Sequence, residues 1–153
     1  MVLATLCYIR EKNKFLMLHV KGKKDGNYNG KWNGVGGKLK KGESPAECAL
    51  REIKEETGLV ASNPNLVGLL TFPKISLGKD WYVFVYVIDE FSGEIHESKE
   101  GELFWFTKKE IMRLNLWEGD YKFLPLLFKN KFFQGKFFYV EGVLKDFLLI
   151  TNS

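Results

Sequence analysis

Four glutamates and one arginine lie close together in a short stretch of the 153-residue sequence: Glu43, Arg51, Glu52, Glu55 and Glu56. On an α-helix, residues three and four apart are neighbours, so the last three carboxylates would share one side of the helix and repel one another. Such a group either faces solvent or holds a positive ion. Several carboxylate oxygens around one point form a site that suits Mg²⁺ or Mn²⁺ without any histidine or cysteine.

The spacing of these residues is more specific than their types. The stretch from Gly37 to Leu59 reads GKLKKGESPAECALREIKEETGL. It resembles the Nudix box, G-x5-E-x7-R-E-U-x-E-E-x-G-U with U aliphatic, and every defined position is filled. Many restricted positions at fixed spacing seldom match by chance, so the resemblance outweighs the alternative of a solvated acidic surface.

The resemblance implies a Mg²⁺-dependent hydrolase that cleaves a nucleoside diphosphate linked to another group. It assigns the metal ligands, which also activate water, to Glu52, Glu55 and Glu56. Arg51 would orient a glutamate, Glu43 belongs to the box, and Gly37 and Gly58 would shape the turns on either side of the helix.

Two candidates lie outside the box. Glu100 precedes a predicted strand, and the resemblance implies that it supplies a further metal ligand or a base; the alternative is an exposed loop glutamate. Lys38 follows the glycines and is a candidate phosphate contact, whereas most single lysines are solvated surface charges.

The segments around the box bear on the substrate. GKWNGVGGK (30–38) and the region 115–142 resemble the MutT-like branch of the family, purine nucleoside triphosphatases that remove oxidised nucleotides. By position, the purine-binding residues would be Asn33, Trp117 and Asp120, although Gly119 stands where that branch has a second acidic residue. The alternatives are a turn residue for Asn33 and a core aromatic for Trp117.

These residues together predict hydrolysis of a purine nucleoside triphosphate such as 8-oxo-dGTP to the monophosphate and pyrophosphate. One alternative is a Nudix hydrolase of ADP-ribose or another nucleoside diphosphate derivative, since Pro73 lies near a proline of ADP-ribose-hydrolysing members; that proline is also typical of a strand edge or bulge. A catalytically silent nucleotide-sensing domain is the third reading. The expected partner is a small nucleotide, with no nucleic acid polymer and no membrane, in a monomer or homodimer.

The helix that must carry the box has clear end signals. Ser44 is the predicted N-cap, with Pro45 in the first helical position and Glu47 reaching back to complete a capping box. Gly58 is the predicted left-handed C-terminal residue. The helical spacing of the small and aliphatic residues predicts a buried face, made of Ala46, Ala49, Leu50 and Ile53.

The rest of the chain is rich in predicted strands. We expect strands at 2–9 and 14–21 as a hairpin, a glycine-rich loop at 21–37, and strands at 65–77, 81–91 and 103–107. A short helical segment at 108–115, a helix near 120–129 and strands at 136–142 and 144–150 follow. This order predicts an α/β (α+β) fold with a mixed sheet between helices, and the resemblance implies a single Nudix domain over 1–153.

Composition limits the alternatives. The net charge of +4 is too small to indicate nucleic acid binding by itself. No apolar run approaches the ~18 residues of a membrane span. Cys7 and Cys48 lie in apolar patterns and are predicted to be buried thiols rather than a disulfide, and the N-terminus lacks the features of a signal peptide, so we expect a cytoplasmic protein.

Overall fold

The computed structural model describes residues 1–21 and 30–151. The strands within these ranges are β1 (Val2–Glu11), β2 (Lys14–Val20), β3 (Trp32–Asn33), β4 (Val60–Ser62), β5 (Asn65–Ser76), β6 (Lys79–Ile88), β7 (Glu90–Ser92), β8 (Gly101–Thr107), β9 (Phe133–Val140) and β10 (Val143–Thr151). The helices are α1 (Pro45–Thr57), α2 (Lys108–Ile111) and α3 (Asp120–Phe128).

The main sheet is mixed, as predicted. Its strand order is β10-β9-β5-β6-β1-β2-β3, and β8 pairs with β2. The β1–β6 and β5–β9 pairs are parallel and the other pairs are antiparallel. The short strands β4 and β7 form a separate antiparallel pair.

Helices cover both faces of the sheet. On β1, Tyr8 belongs to a buried cluster that includes Phe123 and Leu127 of α3. Its neighbours Cys7 and Ile9 point to the opposite face, into a second cluster with residues of α1. Successive side chains of a strand alternate between faces, so one strand contributes to both cores.

The strands of the β1–β2 hairpin separate immediately after their turn, and the gap between them positions the start of the Nudix-box segment. Only two residue pairs join the two strands, next to the turn. Residues 35–39 then pair with the free edge of β1, where Thr5 N donates to Gly37 O (2.8 Å). A Cβ atom on Gly36 would lie 2.0 Å from Thr5 O, so only glycine allows this close backbone approach.

Most predicted elements are confirmed, with three corrections. The predicted strand 81–91 is wrong at its end, because β6 stops at Ile88 and Asp89 forms a bidentate pair with Arg10 before β7 begins. The pairing of β4 with β7 was not predicted; strands of three residues carry too little periodicity. The predicted loop 21–37 contains the short strand β3, while residues 22–29 lie outside the described ranges.

The expectations for Pro73 and for the two cysteines are also confirmed. The pairing of β5 with β6 shifts register between Phe72 and Ser76, so Pro73 stands at an irregularity of the strand. Cys7 and Cys48 are buried free thiols. Within residues 1–21 and 30–151, no helix is long and apolar enough to span a membrane.

Candidate active site

The ends of α1 are formed as the sequence predicts. Ser44 Oγ accepts from Glu47 N (3.1 Å), and the Glu47 carboxylate accepts from Ser44 N (3.0 Å). Gly58 ends the helix with a φ of 83° and donates its N–H to Lys54 O. These bonds satisfy backbone groups that a helix leaves unpaired at its ends, and they fix where the glutamates of α1 stand.

The buried face of α1 differs in part from the prediction. Ala49 and Ile53 are fully buried, but Ala46 and Leu50 are only half-buried. Cys48 and Thr57 are buried with them instead. Thr57 fits because its hydroxyl donates to Ile53 O (2.6 Å) and accepts from Leu59 N (3.0 Å), which pairs a polar group inside the core.

Arg51 is the centre of an ion-pair network. Its Nε and Nη2 contact both oxygens of Glu43, at 2.6 and 2.8 Å. Its Nη1 donates to Glu52 Oε1 (2.8 Å) and Glu55 Oε2 (3.2 Å), and its Nη2 also donates to Lys38 O (3.1 Å). The guanidinium therefore ties the loop before α1 to two of its carboxylates.

This network shifts the pKa values of its acids in opposite directions. The Arg51 bonds and the Lys40 backbone N–H lower the pKa of Glu43 to about 2. Burial raises the pKa of Glu52 above its usual value, Arg51 opposes this, and the nearby carboxylates of Glu55 and Glu56 add to the rise. Glu52 therefore stands in a region of concentrated negative charge.

Gly37 is required by the position of Glu52. A Cβ atom on Gly37 would lie 2.4 Å from the Glu52 carboxylate carbon and one of its oxygens. The box glycine and the first glutamate of the Glu52–Glu56 group are therefore in direct van der Waals contact, although fifteen positions separate them in the sequence.

Glu56 and Glu100 are connected through Ser98, a residue that no sequence motif indicates. Ser98 is buried, and its Oγ donates to Glu56 Oε2 (2.7 Å). Ser98 Oγ also accepts from the backbone N–H of Glu100 (3.1 Å). The loop before β8 therefore lies against α1, and Ser98 links the backbone of Glu100 to the side chain of Glu56.

The donor set suits a hard divalent cation. Glu52, Glu55 and Glu56 offer carboxylate oxygens, and one guanidinium is shared between Glu52 and Glu55, so negative charge remains in excess. As placed, no three acidic, histidine or cysteine side chains of residues 1–21 and 30–151 converge on one point. Arg51 contacts Glu52 and Glu55, and Ser98 contacts Glu56, so each of these carboxylates is held by a neighbouring group of the protein.

The predicted purine-binding residues lie on two segments that Lys31 joins. Asn33 is half-buried on β3, Trp117 lies in the segment before α3, and Asp120 is the first residue of α3. Lys31 Nζ donates to the Asn115 side chain (3.1 Å) and lies 5.1 Å from the centre of the Trp117 ring. Lys31 was not predicted, because nothing distinguishes it from other lysines of the glycine-rich segment.

Asp120 has an unusual environment for an acid. It is 8% exposed, and burial raises its pKa to about 7 although Lys31 acts in the opposite direction. Tyr139 lies beside it, with its hydroxyl accepting from Gly119 N (2.7 Å) and its ring against the Trp117 ring. Near neutral pH, Asp120 can therefore present either a carboxylate or a carboxylic acid.

Lys38 takes part in the site mainly through its backbone. Its side chain is exposed, with Nζ 5.3 Å from the centre of the Trp81 ring, while its carbonyl accepts from Arg51. Trp81 and Phe72 are partly buried against the core cluster on the α3 side, as expected for core residues.

Comparison with known proteins identifies the family. Residues 2–127 match the model of the NUDIX domain. The chain belongs to the Nudix family. The uncharacterized Nudix hydrolase YvcI of Bacillus subtilis is 32% identical over 131 residues, which are 83% of this chain and 79% of that protein.

Two further similarities concern the MutT-like branch. The oxidized purine nucleoside triphosphate hydrolase of Danio rerio is 36% identical to this Nudix chain over 115 residues, 75% of this chain and 74% of that protein. The crystal structure of a MutT protein from Bacillus halodurans superposes with a TM-score of 0.86 at 29% identity, over 97% of both chains. The protein is thus a MutT-like Nudix hydrolase, and such enzymes act on small nucleotides and generally use divalent metals.

Proposed function

We propose that this Nudix hydrolase cleaves an oxidised purine nucleoside triphosphate, such as 8-oxo-dGTP, to the monophosphate and pyrophosphate with Mg²⁺. The observation that carries the proposal is the arrangement of Asn33, Trp117 and Asp120 on two segments joined by Lys31, in a chain that resembles an oxidized purine nucleoside triphosphate hydrolase. Mn²⁺ is an alternative cation, because it accepts the same oxygen ligands.

The contacts of Arg51 and Glu43 support the roles proposed for them. Glu52, Glu55, Glu56 and Glu100 are the proposed ligands, and Arg51 orients Glu52 and Glu55 while Glu43 holds the guanidinium from its other side. When bound, the cation offsets the charge of the pyrophosphate and makes water easier to deprotonate. Burial makes Glu52 more basic than an exposed glutamate, and Lys38 is a candidate phosphate contact.

The purine would be held by stacking and by polar groups. Trp117 offers an aromatic face, and stacking of a base on such a face contributes about 1–3 kcal/mol. Asn33 has both a donor and an acceptor, and Asp120 accepts from ring N–H groups when ionised and also donates when protonated. Because burial raises the pKa of Asp120 to about 7, this side chain can pair with a base whether the ring nitrogen facing it carries a proton or not.

The proposal extends to the setting of the reaction. A small nucleotide is the proposed partner, in a cytoplasmic enzyme that is a monomer or homodimer and acts in nucleotide-pool sanitation rather than on a nucleic acid polymer. Buried free thiols at Cys7 and Cys48 are consistent with a reducing compartment.

A hydrolysis panel tests the substrate. Purified protein with Mg²⁺ is given 8-oxo-dGTP, 2-oxo-dATP, dGTP, ADP-ribose and a dinucleoside polyphosphate, and products are separated by ion-exchange chromatography. We expect the oxidised triphosphates to react fastest and to release pyrophosphate. Preference for ADP-ribose or the dinucleotide would reject the substrate and leave a Nudix hydrolase of the alternative type.

Two variants test whether the acidic helix takes part in the reaction. Glu55→Gln and Glu56→Gln keep the side-chain shape and remove one charge each, so we expect Mg²⁺-dependent hydrolysis to fall strongly. Glu47→Gln is the matched control, because Glu47 lies on the same helix and, among the described residues, its carboxylate accepts only from the N-cap backbone. Equal activity of all three variants and the wild type would mean that the acidic face is merely solvated.

A further inference from the structure

The segment between β7 and β8 is held between α1 and β2. At one end, His96 N donates to Thr57 O in the last turn of α1 (2.9 Å). At the other end, Lys21 N donates to Glu100 O (2.9 Å). Gly101 follows, where a Cβ atom would lie 1.9 Å from His19 O. Residues 96–101 therefore cross from the end of the helix to the end of β2 by a fixed path.

Ser98 lies in the middle of this path and is 6% exposed. A hydroxyl has one hydrogen to donate and two lone pairs to accept with. Ser98 uses both functions, since it donates to Glu56 Oε2 (2.7 Å) and accepts from Glu100 N (3.1 Å). Bonds from a hydroxyl to an ionised carboxylate are stronger than bonds between neutral groups.

These two bonds are not needed to attach the segment to the helix. The His96–Thr57 backbone bond already attaches it, and the His96 ring packs where a Gly58 side chain would stand. What the hydroxyl adds is a defined relation between the Glu56 carboxylate on α1 and the Glu100 backbone on the loop. Within residues 1–21 and 30–151, the hydrogen bond of the Glu56 carboxylate uses Oε2, which leaves Oε1 available to contact a cation.

We propose that Ser98 is a positioning residue of this hydrolase: it sets the Glu56 carboxylate and the Glu100 backbone so that both acids face the same divalent cation. The proposal rests on the proposed Mg²⁺-dependent function. Partners that orient metal ligands in this way commonly contribute about 10–100-fold to metal affinity.

Direct metal binding without nucleotide tests this role. Mn²⁺ is titrated into the wild-type protein, and free Mn²⁺ is measured by electron paramagnetic resonance. We expect Ser98→Ala to weaken Mn²⁺ binding by about 10–100-fold, and Ser98→Thr, which keeps the hydroxyl, to bind within about threefold of the wild type. Ser62→Ala is the matched control, because Ser62 Oγ also donates to a glutamate, Glu90, at 3.4 Å but outside the site.

The melting temperature of each metal-free variant separates misfolding from loss of positioning. If Ser98→Ala unfolds, Ser98→Cys takes its place, since the thiol is a weaker donor of similar size. A Glu56→Gln/Ser98→Ala double variant should bind Mn²⁺ little worse than Glu56→Gln alone, because the hydroxyl acts through that carboxylate.

The outcomes distinguish the two proposals. A folded Ser98→Ala or Ser98→Cys protein with wild-type Mn²⁺ affinity overturns the role of Ser98 while leaving the hydrolase intact. A folded Ser98→Thr protein that binds as weakly as Ser98→Ala overturns it as well. Wild-type protein that neither binds Mn²⁺ nor hydrolyses any nucleotide in the panel rejects the proposed function itself.

Discussion

The buried acid Asp120 makes a quantitative prediction about stability. Its pKa is about 7 in the folded protein, while an exposed aspartate has a value of 3.8. Between these values the folded protein holds a proton that the unfolded chain has lost. Stability therefore falls as pH rises from about 4 to about 7 and then stays level, because both states are ionised above that range.

The size of the effect follows from the width of that range. Each pKa unit corresponds to 1.36 kcal/mol, so the two units between pH 5 and pH 7 give a loss of about 2.5 kcal/mol from this one group. Asp120→Asn removes the titration and keeps the shape of the side chain. We expect the variant to lack this part of the pH dependence and to gain stability relative to the wild type at pH 8.

Urea unfolding followed by tryptophan fluorescence at pH 5 and pH 8 measures the difference. Other groups titrate equally in both proteins, so the comparison isolates Asp120. Glu118→Gln is the control, because it removes an exposed carboxylate from the same turn rather than a buried one. If wild type and Asp120→Asn lose the same free energy between the two pH values, the argument from burial is refuted.

Three further variants address the site. Trp117→Ala should raise KM about 5- to 150-fold, the equivalent of about 1–3 kcal/mol of stacking, and an unchanged KM in steady-state kinetics would remove the stacking role. Gly37→Ala places a Cβ 2.4 Å from the Glu52 carboxylate. Displacing that carboxylate by about 1 Å should lower kcat by up to about 100-fold, with little change in melting temperature. A normal kcat would contradict the contact. Glu43→Gln removes the charge that Arg51 grips through two bonds, so kcat should fall while the melting temperature stays near that of wild type; full activity would show that Arg51 is oriented without it.

Much of α1 could be predicted from local sequence. The capping residues Ser44 and Glu47 and the terminal Gly58 act within a few residues of themselves, and the structure confirms each of them. The i, i+4 pairing of Arg51 with Glu55 is equally local. Such features depend on helix geometry, which is the same in every protein.

The hairpin and the long strands could also be predicted from the sequence, because their hydrophobic runs extend over seven residues or more. The short strands β4 and β7 were not, since three residues give no usable periodicity. The burial of Leu50 was overestimated because helical spacing shows which side faces the core but not how far the core extends.

By itself, the sequence determined the reaction family, because the Nudix box joins residues whose spacing is set by one helix and the turns at its ends. Only the tertiary structure decided which distant groups complete the site. Ser98 meets Glu56 across forty-two positions, and Lys31 meets Asn115 across eighty-four. It also decided the high pKa of Asp120, since burial depends on how α3 packs against the sheet rather than on the residues beside the acid.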